Sequence, residues 1–297
     1  MLPNKLKKGD TIGVIAPSNC IKQDDLEYIN ASISLMEKAG FNVKFGKYVF
    51  GENEVITNSQ NRAKDINEMF ADKEVKAIIC VKGGEDSNTT LDYIDYETIK
   101  QNPKILCGFS DNTSILNVIN SKTGLVTYHG PTFKSLTSWD SDYAYNQFIK
   151  VFCEGVNNLD DAEYITIKEG QAQGELIGGN LALIAAGIGT KYEIDTKDKI
   201  LFIEDVGEAI YRLDRMLTQL SLAGKFDDCA GIVFGDFCDC NKENDDDFEI
   251  LELIQDRVSK YNKPCIFNLK SGHCTPMITL PFGCKYKLNA TEKTLEL

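Results

Sequence analysis

Short, continuously apolar runs alternate with amphipathic stretches through the first half of the chain. Residues 12–16 (IGVIA), 41–45, 77–81 (AIICV), 105–109 (ILCGF) and 126–128 have the composition of strands buried on both faces. Between them, Ile29, Ile33 and Met36 within 25–39, the stretch 61–70, and Ile115, Leu116, Val118 and Ile119 follow helical spacing. Strands alternating with helices predict a doubly wound parallel α/β sheet, which takes ligands beyond the carboxyl ends of its strands.

Residues 155–170 have loop composition, so a domain boundary is placed there. It separates an N-terminal α/β domain, 1–160, from a C-terminal β-rich α/β domain, 161–297. In the second half, 174–180 (GELIGGN) reads as ending in a glycine-rich turn, and 181–188 as a short buried helix. Residues 199–203 read as a strand ending at Glu204-Asp205. Leu213, Met216, Leu217 and Leu220 mark a helix, with Arg212, Asp214 and Arg215 on or beside its other face. A strand is expected at 231–234, a helix at 250–260 and β structure at 277–297.

Ser110 stands where the 105–109 run meets the next helix. A sharp strand-to-helix turn presents a serine hydroxyl in the open, with the first helical N–H groups aimed at whatever it attacks. Gly108 makes room for the turn, and Asp111 and Asn112 can cap the helix. The sequence G-F-S-D-N meets only half of the G-x-S-x-G elbow pattern, so the residues alone leave Ser110 as either nucleophile or cap. Lys82-Gly83-Gly84 ends another strand. Its glycines let backbone amides approach a ligand, as an oxyanion hole requires, and a plain tight turn is the alternative.

The chain has two histidines, so a Ser-His mechanism must use His129 or His273. His129 ends a strand before Gly-Pro, where shaping the turn is a sufficient role. Two carboxylates at the end of an apolar strand, Glu204 and Asp205, need partners if buried.

Composition narrows the classes. With 297 residues and 42% hydrophobic content, the chain can build two ordinary cores. A net charge of −13 argues against nucleic-acid or anionic-membrane surfaces. Ten cysteines scattered through strands and loops read as reduced thiols, and Cys238-Asp-Cys240 lacks a matching metal-ligand pair. No metal or organic cofactor is indicated. The segment MLPNKLKKGD has no apolar signal core and no run approaches a membrane span, which points to the cytoplasm.

In order along the chain, GDTIGVIAPS, KGG, LDYIDYETI, GFSDNTSIL, TYHGP, GELIGGNLALIA, ILFIEDVGEAIYRLDRMLTQL, GIVFGDF and SGHCTPMITLPFG resemble the LD-carboxypeptidase family of serine peptidases. That family includes the tetrapeptide carboxypeptidases of murein recycling and the microcin C self-immunity peptidases. The resemblance implies Ser110 as nucleophile, Glu204 and His273 as its triad partners, and a homodimer. It implies a peptide substrate, a murein tetrapeptide losing its terminal D-alanine, or in the other branch an aminoacyl-nucleotide conjugate. The backbone N–H groups of Gly84 and Asp111 would then hold the oxyanion.

The family pattern Arg-Gly-Gly-aromatic stands here as Lys82-Gly83-Gly84-Glu85. A bidentate fork and an aromatic surface are thereby absent, and both changes bear on substrate identity. Lys82, Gly83, Glu85 and Arg212 are candidate substrate contacts, and Lys134 is a further candidate for the substrate carboxylate. Trp139 is either a surface for stacking a nucleobase or a packing anchor.

Overall fold

The computed structural model describes residues 1–51, 58–156, 159, 163–241 and 248–297. The chain divides into two compact units, Met1–Asn157 with Thr279–Pro281, and Asn158–Ile278 with Phe282–Leu297. The expected boundary at 160/161 falls on positions outside the described residues.

The first unit contains β1 (Thr11–Ile15), α1 (Leu26–Lys38), β2 (Asn42–Phe45), α2 (Ser59–Ala71), β3 (Val75–Cys80), α3 (Tyr96–Gln101), β4 (Ile105–Gly108), α4 (Thr113–Thr123), β5 (Thr127–His129), α5 (Ser135–Ser138) and α6 (Ser141–Phe148). The chain continues with β6 (Ile165–Lys168), β7 (Gln171–Asn180), α7 (Leu181–Gly187), β8 (Ile200–Val206), α8 (Ile210–Leu222), α9 (Lys225–Asp228), β9 (Gly231–Cys238), α10 (Ile250–Val258), β10 (Cys265–Phe267), β11 (Leu280–Phe282), β12 (Lys285–Asn289) and β13 (Thr294–Glu296).

The first sheet runs β11-β5-β4-β3-β1-β2, with β5, β4, β3, β1 and β2 parallel. Its central strands are buried on both faces, as the continuous apolar runs require. From β1 the chain goes first to β2 on one side and then to β3 on the other. This reversal makes the carboxyl ends of β1 and β3 the topological switch point, where open parallel sheets bind ligands.

The second sheet runs β13-β12-β7-β8-β9-β10-β6. Strands β7 to β10 are parallel, and antiparallel β12, β13 and β6 lie on the flanks. Because β7, β8, β9 and β10 follow in sequence order, right-handed crossovers put the connecting helices on one face. There Leu181, Leu213, Leu217, Leu220, Leu253 and Ile254 pack against Leu201, Ile203, Ile232 and Phe234. Each unit is therefore α/β.

The glycines of 174–180 are the point where the expectation fails. The segment does not end in a turn: it forms the last seven residues of β7, a strand of 10 residues. Gly178 has φ +131°, and a Cβ there would stand 1.9 Å from the Phe202 carbonyl oxygen of neighbouring β8. The glycines mark close backbone approach inside a sheet, one of the two meanings glycine has in a strand. Gly178→Ala is expected to destabilise the protein by about 3 kcal/mol or more, from overpacking against backbone that cannot move aside. Urea unfolding of the variant beside the wild type measures this.

Candidate active site

Ser110 follows β4 through extended Phe109 and has φ +63°, the left-handed region that costs a non-glycine residue roughly 1–2 kcal/mol. One 3-10 turn, Ser110–Asn112, separates it from α4. The turn is tightly surrounded. A Cβ on Gly108 would lie 3.0 Å from the Cys80 sulfur. A Cβ on Gly83 would lie 2.9 Å from both Cβ and Oγ of Ser110. Gly83 is thus required by the approach of its backbone to the serine side chain.

Neither Asp111 nor Asn112 caps a helix through its side chain. Buried Asp111 instead accepts hydrogen bonds through Oδ2 from the Ser18 hydroxyl and from the Ser87 N–H at 2.9 Å. The Ser87 hydroxyl donates to the Asp111 carbonyl at 2.5 Å. Asn112 Nδ2 donates to the carbonyls of Phe109 at 2.9 Å and Lys82 at 3.2 Å. The serine turn is therefore tied to the loops after β1 and β3.

Arg62, fully buried on α2, ties the same two loops from the other side. Its Nη1 donates to the carbonyls of Pro17 at 2.9 Å, Ser18 at 3.3 Å and Glu85 at 3.4 Å, and Nη2 donates to the Thr89 hydroxyl at 2.9 Å. Burial lowers its pKa, against the charges of Asp86 and Asp111.

In the second unit, strand alternation gives the two carboxylates of β8 different surroundings. Leu201 and Ile203 face the helices, and so does Asp205. It accepts from Asn180 Nδ2 at 2.8 Å, from the Ala182 N–H at 3.1 Å and from its neighbour Val206 at 2.8 Å. Burial pushes the Asp205 pKa up to about 6, assisted by the charges of Glu204 and Glu208.

Glu204 lies where the β8–β9 register shifts between Ile203 and Asp205, a bulge that re-aims a side chain. Fully buried, it meets His273 Nδ1 through Oε2 at 2.8 Å. A Cβ on Gly272, which has φ +118°, would lie 2.7 Å from that same oxygen.

The segment carrying His273 is held on both sides. Asp236 N–H donates to the Ser271 carbonyl at 3.1 Å, the Ser271 hydroxyl to the Ile278 carbonyl at 2.8 Å, and the Ile278 N–H to the Lys270 carbonyl at 2.7 Å. His129 is fully buried in β5, with its ring edge-on to Phe109 at 6.1 Å.

A histidine seated on a buried carboxylate and a serine strained into a strand-to-helix turn are arrangements that hydrolases use. Residues 12–130 match the LD-carboxypeptidase N-terminal domain and residues 173–288 the LD-carboxypeptidase C-terminal domain. The chain is 36% identical to the probable murein peptide carboxypeptidase of Bacillus subtilis, over 98% of this chain and 92% of that one. The chain belongs to the LD-carboxypeptidase family. Among solved structures it is similar to the muramoyltetrapeptide carboxypeptidase of Oxalobacter formigenes, with TM-score 0.81 and 25% identity over 96% of this chain and 97% of that one. It is likewise similar to MccF in complex with glutamyl sulfamoyl guanosine, with TM-score 0.91 and 25% identity over 100% and 98%. It is a peptidase of this family.

The other candidate residues of this LD-carboxypeptidase family member lie as follows. Lys82 does not stand free: its Nζ is 2.5 Å from Asp25, and Lys134 Nζ is 2.7 Å from the other oxygen of that carboxylate. Glu85 is exposed, and its carbonyl accepts from Arg62. Arg212 lies on α8 with an exposed side chain, 3.6 Å from Glu208. Trp139 packs edge-on against Phe109 at 5.3 Å. Sequence reading missed Arg62 and Asp25, whose partners lie far from them in the chain.

Burial pushes the Asp25 carboxyl up, but hydrogen bonds from Lys134, Lys82 and the Lys22 N–H outweigh it and bring the pKa down to about 2. Because this lies below the usual 3.8, the network stabilises the fold above pH 3.8 and loses that contribution as pH falls toward about 2. Asp25→Asn is expected to be less stable than wild type at neutral pH, with the gap closing over that acid range. Denaturant titrations of both proteins at stepped pH measure it.

Proposed function

We propose that this protein is a serine-type carboxypeptidase that hydrolyses the L,D peptide bond of murein tetrapeptides and releases terminal D-alanine. The observation that carries the reading is the His273 imidazole seated on fully buried Glu204 at 2.8 Å. A carboxylate on Nδ1 fixes the tautomer that leaves Nε2 as a base, and stabilises the imidazolium formed when it takes a proton.

In this mechanism Ser110 Oγ attacks the scissile carbonyl carbon as His273 takes its proton, and the carbonyl π pair moves onto oxygen. The N–H groups of Gly84 and Asp111 hold that oxyanion. Collapse expels D-alanine, protonated by His273, and leaves the peptide acylated on Ser110. Water then repeats the sequence with the same base. Asp111 contributes through its backbone, since its side chain is occupied by Ser18 and Ser87.

A second reading, cleavage of aminoacyl-nucleotide conjugates, draws on the TM-score of 0.91 to MccF with a sulfamoyl nucleoside bound. The edge-on contact of half-buried Trp139 with Phe109 favours its role as a packing anchor over stacking on a nucleobase. Lys82 is paired with Asp25 and reads as a support for the Gly83–Gly84 loop, which leaves Glu85 and Arg212 as candidate substrate contacts. The homodimer that the resemblance implies and the cytoplasmic location expected from the sequence complete the reading. Among the described residues, no helix is long and apolar enough to cross a membrane.

The test offers the purified protein a murein tetrapeptide ending in D-alanine and, separately, an aminoacyl-sulfamoyl adenosine. D-alanine release is expected, lost in Ser110→Ala and reduced about 10³- to 10⁴-fold in Glu204→Gln, by analogy with the carboxylate of serine triads. Cleavage of the adenosine conjugate alone would transfer the protein to the second reading.

A further inference from the structure

Two ammonium groups share one carboxylate at the carboxyl edge of the first sheet. Asp25 meets Lys82 Nζ through Oδ2 at 2.5 Å and Lys134 Nζ through Oδ1 at 2.7 Å. Among the described residues no other acidic group forms an ion pair with either lysine. The cluster therefore carries a positive charge in excess. Its side chains are drawn out of water, with exposures of 6% for Asp25, 18% for Lys82 and 30% for Lys134. An excess charge so enclosed is costly until an anion completes it. An ammonium has three donors, and each of these gives one to Asp25, so donors remain to receive that anion.

Lys82, the closer and more enclosed of the two, is the counterion of Asp25, and Lys134 supplies the excess. The backbone places Lys134 beside the serine strand. After β5, the Gly130 N–H donates to the Gly108 carbonyl of β4 at 3.0 Å, and the N–H groups of Phe133 and Lys134 donate to the carbonyls of Cys80 and Val81 at 2.9 Å each. The segment thus passes from β5 across the end of β4, which delivers Ser110, to the end of β3. There the chain runs on into Lys82 and Gly83, and Gly83 backs onto the Ser110 side chain. The backbone of Lys134 is one strand spacing, about 4.8 Å, from the strand of the serine. Its ammonium is held by Asp25, from the segment after β1, and lies over the Tyr28 ring, 5.6 Å from the centroid. The excess charge therefore stands at the β1–β3 switch point, where an open parallel sheet takes its ligand.

We propose that Lys134 Nζ binds the terminal carboxylate of the substrate. The carboxylate of a last residue lies a few bonds from the scissile carbonyl carbon, so a cation next to the serine strand reads the chain end while Ser110 reads the bond. Asp25 and Tyr28 hold the ammonium in place, and the substrate supplies the anion that the cluster lacks. This rests on the reading of the protein as a carboxypeptidase acting through Ser110, and names the residue that selects a free chain end.

The experiment compares two murein tetrapeptides, one ending in D-alanine and one in D-alaninamide, with wild type, Lys134→Gln and Lys134→Met. Both substitutions remove the excess cation and leave Asp25 paired with Lys82 and the Lys22 N–H, so the carboxylate is not orphaned. Wild type is expected to cleave the acid about 10- to 100-fold better in kcat/KM than the amide, the range of one charge-assisted hydrogen bond. In both variants the acid should fall to the level of the amide, through KM with kcat within about threefold, while cleavage of the amide stays within about threefold of wild type.

Equal cleavage of acid and amide by the wild type would overturn the assignment, whatever the variants do. So would an undiminished preference for the acid in either variant, or an equal loss on both peptides, which marks a structural lysine. Each of these leaves the carboxypeptidase reading standing. Failure of the wild type to cleave either peptide would overturn that reading and the assignment with it.

Discussion

The first unit depends on two buried ionic groups, Arg62 and Asp111, which can exist in its interior only if the loops around them supply partners. An unpaired charge there would cost several kcal/mol. The partners are backbone carbonyls of Pro17, Ser18 and Glu85 for the guanidinium, and the Ser18 hydroxyl and Ser87 N–H for the carboxylate. Both groups therefore hold the same two loops, those leaving β1 and β3, and one of them belongs to the serine turn itself. Electrostatic necessity becomes positional accuracy at the switch point of the sheet. The strain at Ser110, with φ +63°, is sustained by that enclosure.

The second unit solves a different problem with strand geometry. Adjacent carboxylates on β8 face opposite sides of the sheet. Asp205 anchors Asn180 and the start of α7, while Glu204 turns at a bulge to take His273. The cost of burying Asp205 appears in its pKa of about 6. The same pair of letters, E-D, thus divides into a support for the fold and a partner for His273.

Much of this was legible in the sequence. The buried strands of the first unit announce themselves because parallel strands covered on both faces need unbroken apolar runs, and α4 and α8 because their buried residues recur with helical period. The serine turn, the glycine loop and the Glu204 and His273 positions were visible as local motifs. Other features were not legible, for physical reasons. Gly178 and Gly179 read as a turn, since a glycine needed for backbone approach within a sheet looks the same as one needed for a bend. Arg62 and Asp25 act on segments far from them in the chain, and nothing local marks them. Lys82 looked like a free cation because its partner Asp25 is 57 positions away.

The central claim is that Ser110, served by the His273–Glu204 pair, passes through a covalent acyl-enzyme. Trapping with hydroxylamine tests it most directly. With a murein tetrapeptide as substrate, the account predicts that added hydroxylamine diverts the product to the tripeptidyl hydroxamate, in proportion to its concentration, while acid-quenched protein carries the tripeptidyl group on the peptide containing Ser110. Release of D-alanine with only the free acid formed, and no acyl group on Ser110 in the quenched protein, would contradict it.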